Sequence, residues 1–309
     1  MIRSNLRLAS VVGAVAITLV VGLWSIPPLL YPPLSASSLA GVADPRARIE
    51  LQQAQSKLQN EVRTSLLQGL AGILVIVGAA ATWRQVQISR DGQITDRFSR
   101  AVEHLGSANS DVRIGAIYTL EQVAASSPVD RLPIQYLVAG FVRRHAQWHA
   151  GAPDCPTHPD VDMAVPWLYV RAPDVQAAMS VLGRRRPSPR SRRLYLSRTD
   201  LRSVNLGGAD LTGAQIRYAN LARAWLPGVT LNSSDLKGTD LRHANLAGAY
   251  LVNSALPGAC LMEADLTGAD LRGADLRGAD LRARNLGAAR LDGAHWDATT
   301  KWPDGRPPA

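Results

Sequence analysis

From Leu196 to Leu291 an aliphatic residue stands at every fifth position, twenty in succession. A period of five suits neither common element. Residues five apart lie about 140° apart around a helix, and the faces of a strand alternate with period two. The register instead predicts a solenoid in which each pentapeptide makes one short side and then turns a corner. Two residues before most of the large aliphatics stands a small one, as at Ala214, Ala249 and Ala274, so both point into the coil. The residue between them points outward and is often Asp or Asn, as at Asp200, Asn220 and Asp240. Gly two places after the aliphatic, as at Gly208, Gly238 and Gly268, suits a corner that needs positive φ.

Apolar runs dominate the other end. Leu8 to Ile26 carries no charge, and Leu66 to Trp83 has Gln68 as its one strongly polar member. Each is long enough to cross a hydrocarbon layer of about 30 Å as a helix. The first exceeds the usual length of a cleaved signal segment, so it reads as an anchor. Arg3 and Arg7 precede it, while Arg84, Arg90, Arg97 and Arg100 follow the second run. That asymmetry predicts a multi-pass membrane hairpin with both termini in the cytoplasm and lipid as a partner. Asp44 to Ser65 reads as a helix entering the second span. Leu51, Ala54 and Leu58 on it fit either a self-association stripe, hence a possible homo-oligomer, or a solvated stalk, and the stalk is preferred.

Between the runs and the solenoid, helical periodicity returns. Asp96 to Gly106 has apolar residues at helical spacing with Gly at the stop. Ser110-Asp111 opens a second helix through Ala124, Leu132 to His149 a third, and Asp174 to Gly183 a fourth. The string Asp111-Val-Arg with Ala116 and Leu120 resembles one helix of a HEAT repeat. The expected organisation is a membrane anchor over 1–85, an α-helical HEAT-like module over 86–183, a basic linker over 184–193, the repeat solenoid over 194–295, and a cap and tail over 296–309.

The A-[DN]-L-x-x pattern, cleanest from Ala264 to Leu281, resembles the pentapeptide-repeat family over roughly a third of the chain. The resemblance implies a right-handed quadrilateral β-helix, four pentapeptides per turn. Twenty central positions then make about five coils, a rod roughly 24 Å long at the inter-strand spacing. Arg284 departs from the pattern in a slot expected to face inward, which suggests fraying. Trp296 falls in the next aliphatic slot, and His295-Trp296 to Trp302-Pro303 is expected to cap the end. The order of motifs from Thr82-Trp83-Arg84 through Phe141-Val142-Arg143-Arg144-His145 to the repeats further resembles bacterial membrane-anchored pentapeptide-repeat proteins. That resemblance implies no established activity.

Net charge is +9, but six units sit at Arg184, Arg185, Arg186, Arg190, Arg192 and Arg193. From Leu194 onward 13 Lys and Arg face 12 Asp and Glu. Some family members in quinolone resistance mimic DNA through a strongly acidic surface, and this balance makes such mimicry, or any DNA partner, unlike the expected role. A possible basic edge comprises Arg202, Arg217, Lys237, Arg242, Arg277 and Arg282, although Asp two places before most of them favours a solvated ion ladder. The linker arginines suit either anionic lipid or a plain hinge.

His145, His149, Cys155 and His158 have a spacing that zinc can use. An ordinary thiol in a Pro-rich loop is the preferred alternative, so no metal and no cofactor are expected. The other cysteine, Cys260, takes an outward repeat slot, and two isolated cysteines suit a reducing compartment. No phosphate loop, nucleophile triad or isolated carboxylate pair stands out, so no enzyme is expected. The expected role is a scaffold offering its rod to a protein partner, with the outward apolar residues Tyr218, Trp225, Tyr250, Val252 and Met262 as the possible interaction surface. A sensor whose helical module takes a ligand is the alternative.

Overall fold

The computed structural model describes residues 18–35, 44–148, 161–185 and 193–305. They fall into two units, Met1–Asp91 and Gly92–Ala309. In the first unit a short apolar helix, α1, runs Thr18–Leu30, and residues 8–17 of the first expected span lie outside the described residues. Helix α2 is Pro45–His104. The Asp44 carboxylate accepts the Arg46 N–H at 2.9 Å, and Pro45 at the first helical position has no donor to leave unpaired. Among the described residues α2 is the one helix long and apolar enough to cross a membrane; its most apolar 18-residue window has mean hydropathy 1.9 and is not buried. Gly22 of α1 and Gly69 of α2 line the same crevice. Gln59 Nε2 of α2 donates to the Tyr31 carbonyl at 2.7 Å. The expected helices at 44–65, 66–83 and 96–105 are one continuous element.

The second unit begins inside α2, where Ile94, Phe98 and Ala101 join its core. Helix α3 is Ser110–Ser126, α4 Arg131–His145, α5 Leu168–Arg171 and α6 Pro173–Gly183. The cap of α3 is Asn109, one residue earlier than the sequence suggests, because its side chain accepts the Asp111 N–H at 2.8 Å. Helix α4 stops at His145 rather than His149, since Ala146 leaves the helical region. Ile117, Leu120, Phe141, Met179 and Leu182 fill the centre with under 2% exposure. Arg113 reaches from α3 to Asp174 of α6 at 2.7 Å and also donates to the Ser107 and Ala108 carbonyls.

The solenoid carries parallel bridges from each outward residue to the one twenty later, such as Asp200 to Asn220, so four pentapeptides close one coil. Among the described residues no bridge extends into a strand. Each side contributes a single bridging residue before its corner, because from Tyr195 to Asp275 the third residue after it takes the left-handed conformation. Gly does so at 208, 238 and 268, and Tyr218, Ser233 and Glu263 do so at the same place with φ of 54–59°. An outward residue donates its N–H to one neighbouring coil and accepts from the aliphatic residue of the same coil: Tyr250 N–H to Val229 O at 2.8 Å, and Leu231 N–H to Tyr250 O at 2.7 Å. The aliphatic column inside, from Leu196 to Leu281, is 0–3% exposed. Burying each such side chain contributes about 1.5–3 kcal/mol.

A first coil has an open edge, and here the helices close it. Asp200 N–H donates to Ala146 O at 2.8 Å, and Asp210 N–H to Gly183 O at 2.7 Å. On the side between them the Gln176 side-chain amide imitates a peptide group, accepting from Asn205 N at 3.0 Å and donating to Asn205 O at 2.8 Å. Orphan backbone groups at the ends of α4 and α6 are satisfied in the same act.

At the other end the register shifts. Asp265 pairs with Arg284, not with Asn285. Arg284 therefore faces outward, correcting the expected inward slot, and Ala283 takes the inward place at 8% exposure. Asn285 at φ 58° and a 3-10 turn, Leu286–Ala288, restore the register by Arg290. The outward residues Asp265, Asp270, Asp275 and Asp280 thus carry Arg284, Arg290, His295 and Lys301 stacked upon them. Trp302, 6% exposed, meets Trp296 edge-on at 5.4 Å.

Candidate interaction surface

The arginines after the aliphatic column fold back onto their own coil. Arg202, Arg242, Arg277 and Arg282 each reach the Asp two residues earlier at 2.6–2.8 Å, and Arg272 does the same with Asp270 at 2.7 Å. Arg217 instead crosses to Asp235 on the next coil at 2.6 Å. Lys237 gives Asp235 its backbone N–H at 3.3 Å. The local cause is spacing: outward residue i and residue i+2 flank one aliphatic and project from the same edge of the coil. Hydrogen bonds from Arg272 and Arg277 hold the Asp270 and Asp275 carboxyls below the usual range, against a smaller opposing effect of burial. At Asp200 burial is the largest influence and opposes ionisation. The Arg202 hydrogen bond with the Arg171 and Arg202 charges outweighs it, and that carboxyl is lowered too. Such pairs contribute about 0–1 kcal/mol each where exposed. They cancel the field that a basic edge would need.

The five outward apolar residues do not form one patch. Tyr218 is half-buried, with Arg198 5.8 Å from its ring and Gly238 beneath it, so it packs between coils. Val252 and Met262 are half-buried on different sides. Trp225 and Tyr250 are 44% and 50% exposed on neighbouring sides. Trp225 alone enters a larger feature, a groove of about 360 Å³ bounded by Met163, Trp167, His243, Asp265 and Arg284. Arg223 anchors the chain segment that brings in Met163 and Trp167, donating to Val165 O at 2.8 Å. Trp167 stacks on Tyr169 at 6.5 Å, and Met163, Trp167 and Tyr169 are 57%, 37% and 53% exposed. Trp, Tyr and Arg are enriched in binding hot spots, and Met in interfaces generally. Sequence reasoning missed Met163 and Trp167 because they lie outside the repeat; the aromatic pair Trp167 and Tyr169 was the available signal.

Of the four proposed zinc ligands, His149, Cys155 and His158 lie outside the described residues. His145 is engaged elsewhere, its Nδ1 3.0 Å from Phe141 O and its ring stacked on Phe141. Cys260 is a free, half-buried thiol whose pKa burial pushes up.

The model of the pentapeptide repeats matches residues 195–232, 228–261 and 259–295, in 8 copies. This chain is a pentapeptide-repeat protein, built on a solenoid that is generally a non-enzymatic fold for protein interaction. Among solved structures it is similar to a pentapeptide repeat protein of the Arabidopsis thaliana thylakoid lumen, at 33% identity and TM-score 0.28 over 28% of this chain and 61% of that one. A pentapeptide repeat protein of Nostoc PCC 7120 is 33% identical, with TM-score 0.27 over 32% of this chain and 84% of that one. HetL, involved in heterocyst differentiation regulation in Nostoc PCC 7120, is 29% identical, with TM-score 0.17 over 36% and 56%. The chain thus spans less than two thirds of the thylakoid-lumen protein and of HetL. No curated protein matches it.

Proposed function

We propose that this protein is a non-enzymatic scaffold, tethered to the bacterial inner membrane by its N-terminal apolar helices, that presents the solenoid to a cytoplasmic protein partner. The groove between Trp167 and Trp225 carries the reading. It offers a slot walled by Trp167, Trp225 and Met163 with the 59%-exposed Arg284 side chain at its edge, whose nearest carboxylate, on Glu263, is 3.7 Å away and itself half exposed. A partner segment with an apolar anchor followed by a carboxylate fits that chemistry. Paired, near-neutral sides argue against mimicry of DNA. The unburied apolar window of α2 supports the tether.

The test places a photo-crosslinking residue at position 225 of the full chain in its native host. A discrete protein adduct is expected from the membrane pellet, reduced at least fivefold by Trp167→Ala and by Arg284→Glu. Adducts of equal yield from a crosslinker at position 237, exposed on the opposite side of the solenoid, would refute the groove. Recovery of the protein in the supernatant after ultracentrifugation would refute the tether.

A further inference from the structure

A second concavity, in the helical module, has a different chemistry. It is a cleft of about 370 Å³ between the C-terminal half of α3, the start of α4 and the end of α6. That volume lies near the lower end of small-molecule sites, about 300–1,000 Å³. Ile134, Val138 and Leu182 form its apolar wall, while Arg131, Arg185 and Glu121 supply polar groups. Glu121 is already committed, held by Arg184 in a two-pronged pair at 2.8 and 3.0 Å.

Arg185 is the unusual member. It is 8% exposed, yet among the described residues no carboxylate lies within ion-pair distance of it. Its donors go to backbone carbonyls instead, Nε to Asp210 O at 3.4 Å and Nη2 to Thr212 O at 2.5 Å. Burial lowers its pKa, with Asp210 and Tyr136 acting weakly the other way. Tyr136, within electrostatic reach, buries a hydroxyl that no described residue partners. A guanidinium stays protonated at any ordinary pH, so an uncompensated buried one is costly unless an anion joins it. Arg131 stands on the same cleft with one long hydrogen bond, 3.4 Å to Ala124 O. Two under-paired guanidiniums beside an aliphatic wall have a complementary shape in solution: an oxyanion with a hydrocarbon body.

We infer that this cleft binds a small amphipathic organic anion, its carboxylate between Arg185 and Arg131 and its alkyl chain against Ile134, Val138 and Leu182. The site is separate from the Trp167–Trp225 groove, and its occupancy does not depend on the scaffold reading.

Equilibrium dialysis of radiolabelled hexanoate against the full chain in a non-ionic detergent, with a detergent-only blank, tests it. Saturable uptake of one hexanoate per chain is expected. Both Arg185→Gln and Arg131→Gln should weaken it at least tenfold, with circular dichroism unchanged in the second variant, whose side chain is only half-buried. Neither hexanol nor hexylammonium should compete. Absence of saturable uptake, uptake preserved in both variants, or competition by hexylammonium overturns the inference. Equal competition by inorganic phosphate would also overturn it, by showing a plain oxyanion site with no use for the apolar wall.

Discussion

Gly183 offers the sharpest test of the contact between the helices and the first coil. It ends α6, is buried, and gives its carbonyl to Asp210 N–H. A Cβ placed on it would stand 2.7 Å from Ala209 Cβ, 3.6 Å from Ala209 Cα and 3.7 Å from Leu206 Cδ2. Two effects of opposite sign compete in Gly183→Ala. Helix propensity favours Ala by up to about 1 kcal/mol. Overpacking against a methyl that cannot rotate away costs about 1–3 kcal/mol. The clash wins, so the variant should be less stable by about 1–2 kcal/mol. For a unit of this size that lowers the melting temperature by about 2–4 °C per kcal/mol. Removing the opposing methyl should reverse the sign, so a double-mutant cycle with Ala209→Gly should give a favourable coupling above 1 kcal/mol. Urea unfolding of the full chain, followed by near-ultraviolet circular dichroism, measures both. A Gly183→Ala protein as stable as the parent, or a double variant without rescue, would refute the packing of α6 on the first coil.

Two further outcomes follow from the solenoid. Glu263 is held at φ 59°, which costs an ordinary L-residue about 1–2 kcal/mol, while its 3.7 Å pair with Arg284 is exposed and contributes little. Glu263→Gly should therefore raise the thermal midpoint, and a lower one would contradict the corner geometry. The depressed carboxyls of Asp270 and Asp275 stabilise the fold above their unfolded pKa of about 3.9, and this is lost as pH falls through their folded values. In that acidic window the unfolded chain binds more protons, so the urea midpoint should fall as pH is lowered. The double variant Asp270→Asn, Asp275→Asn should flatten that slope; an unchanged slope would remove these pairs from the account.

The solenoid was legible because its constraint is periodic. One inward aliphatic per side must recur or the core opens, and Leu196 to Leu291 records that at every step. The closing of the first coil was not legible, since it rests on single groups. Nothing in the string Val175-Gln176-Ala177 says that Gln176 will stand in for a peptide. Arg284 misled for a related reason: with the spacing preserved at Leu286, the sequence hides a residue lost before Arg284 and regained by Arg290. The ion ladder was readable from Asp-x-Arg spacing. The groove was not, because Trp167 and Trp225 are 58 residues apart and meet through a backbone contact that Arg223 makes to Val165.

The tail of the solenoid ends in four carboxylates topped by Arg284, Arg290, His295 and Lys301. Another molecule arriving tail-first would set bases against bases, and one arriving head-first would find its own leading edge already taken by Ala146, Gln176 and Gly183. Open β edges otherwise template their own extension into fibres. Both ends of the solenoid thus disfavour end-to-end growth, and the flanks are the faces it leaves for meeting another molecule.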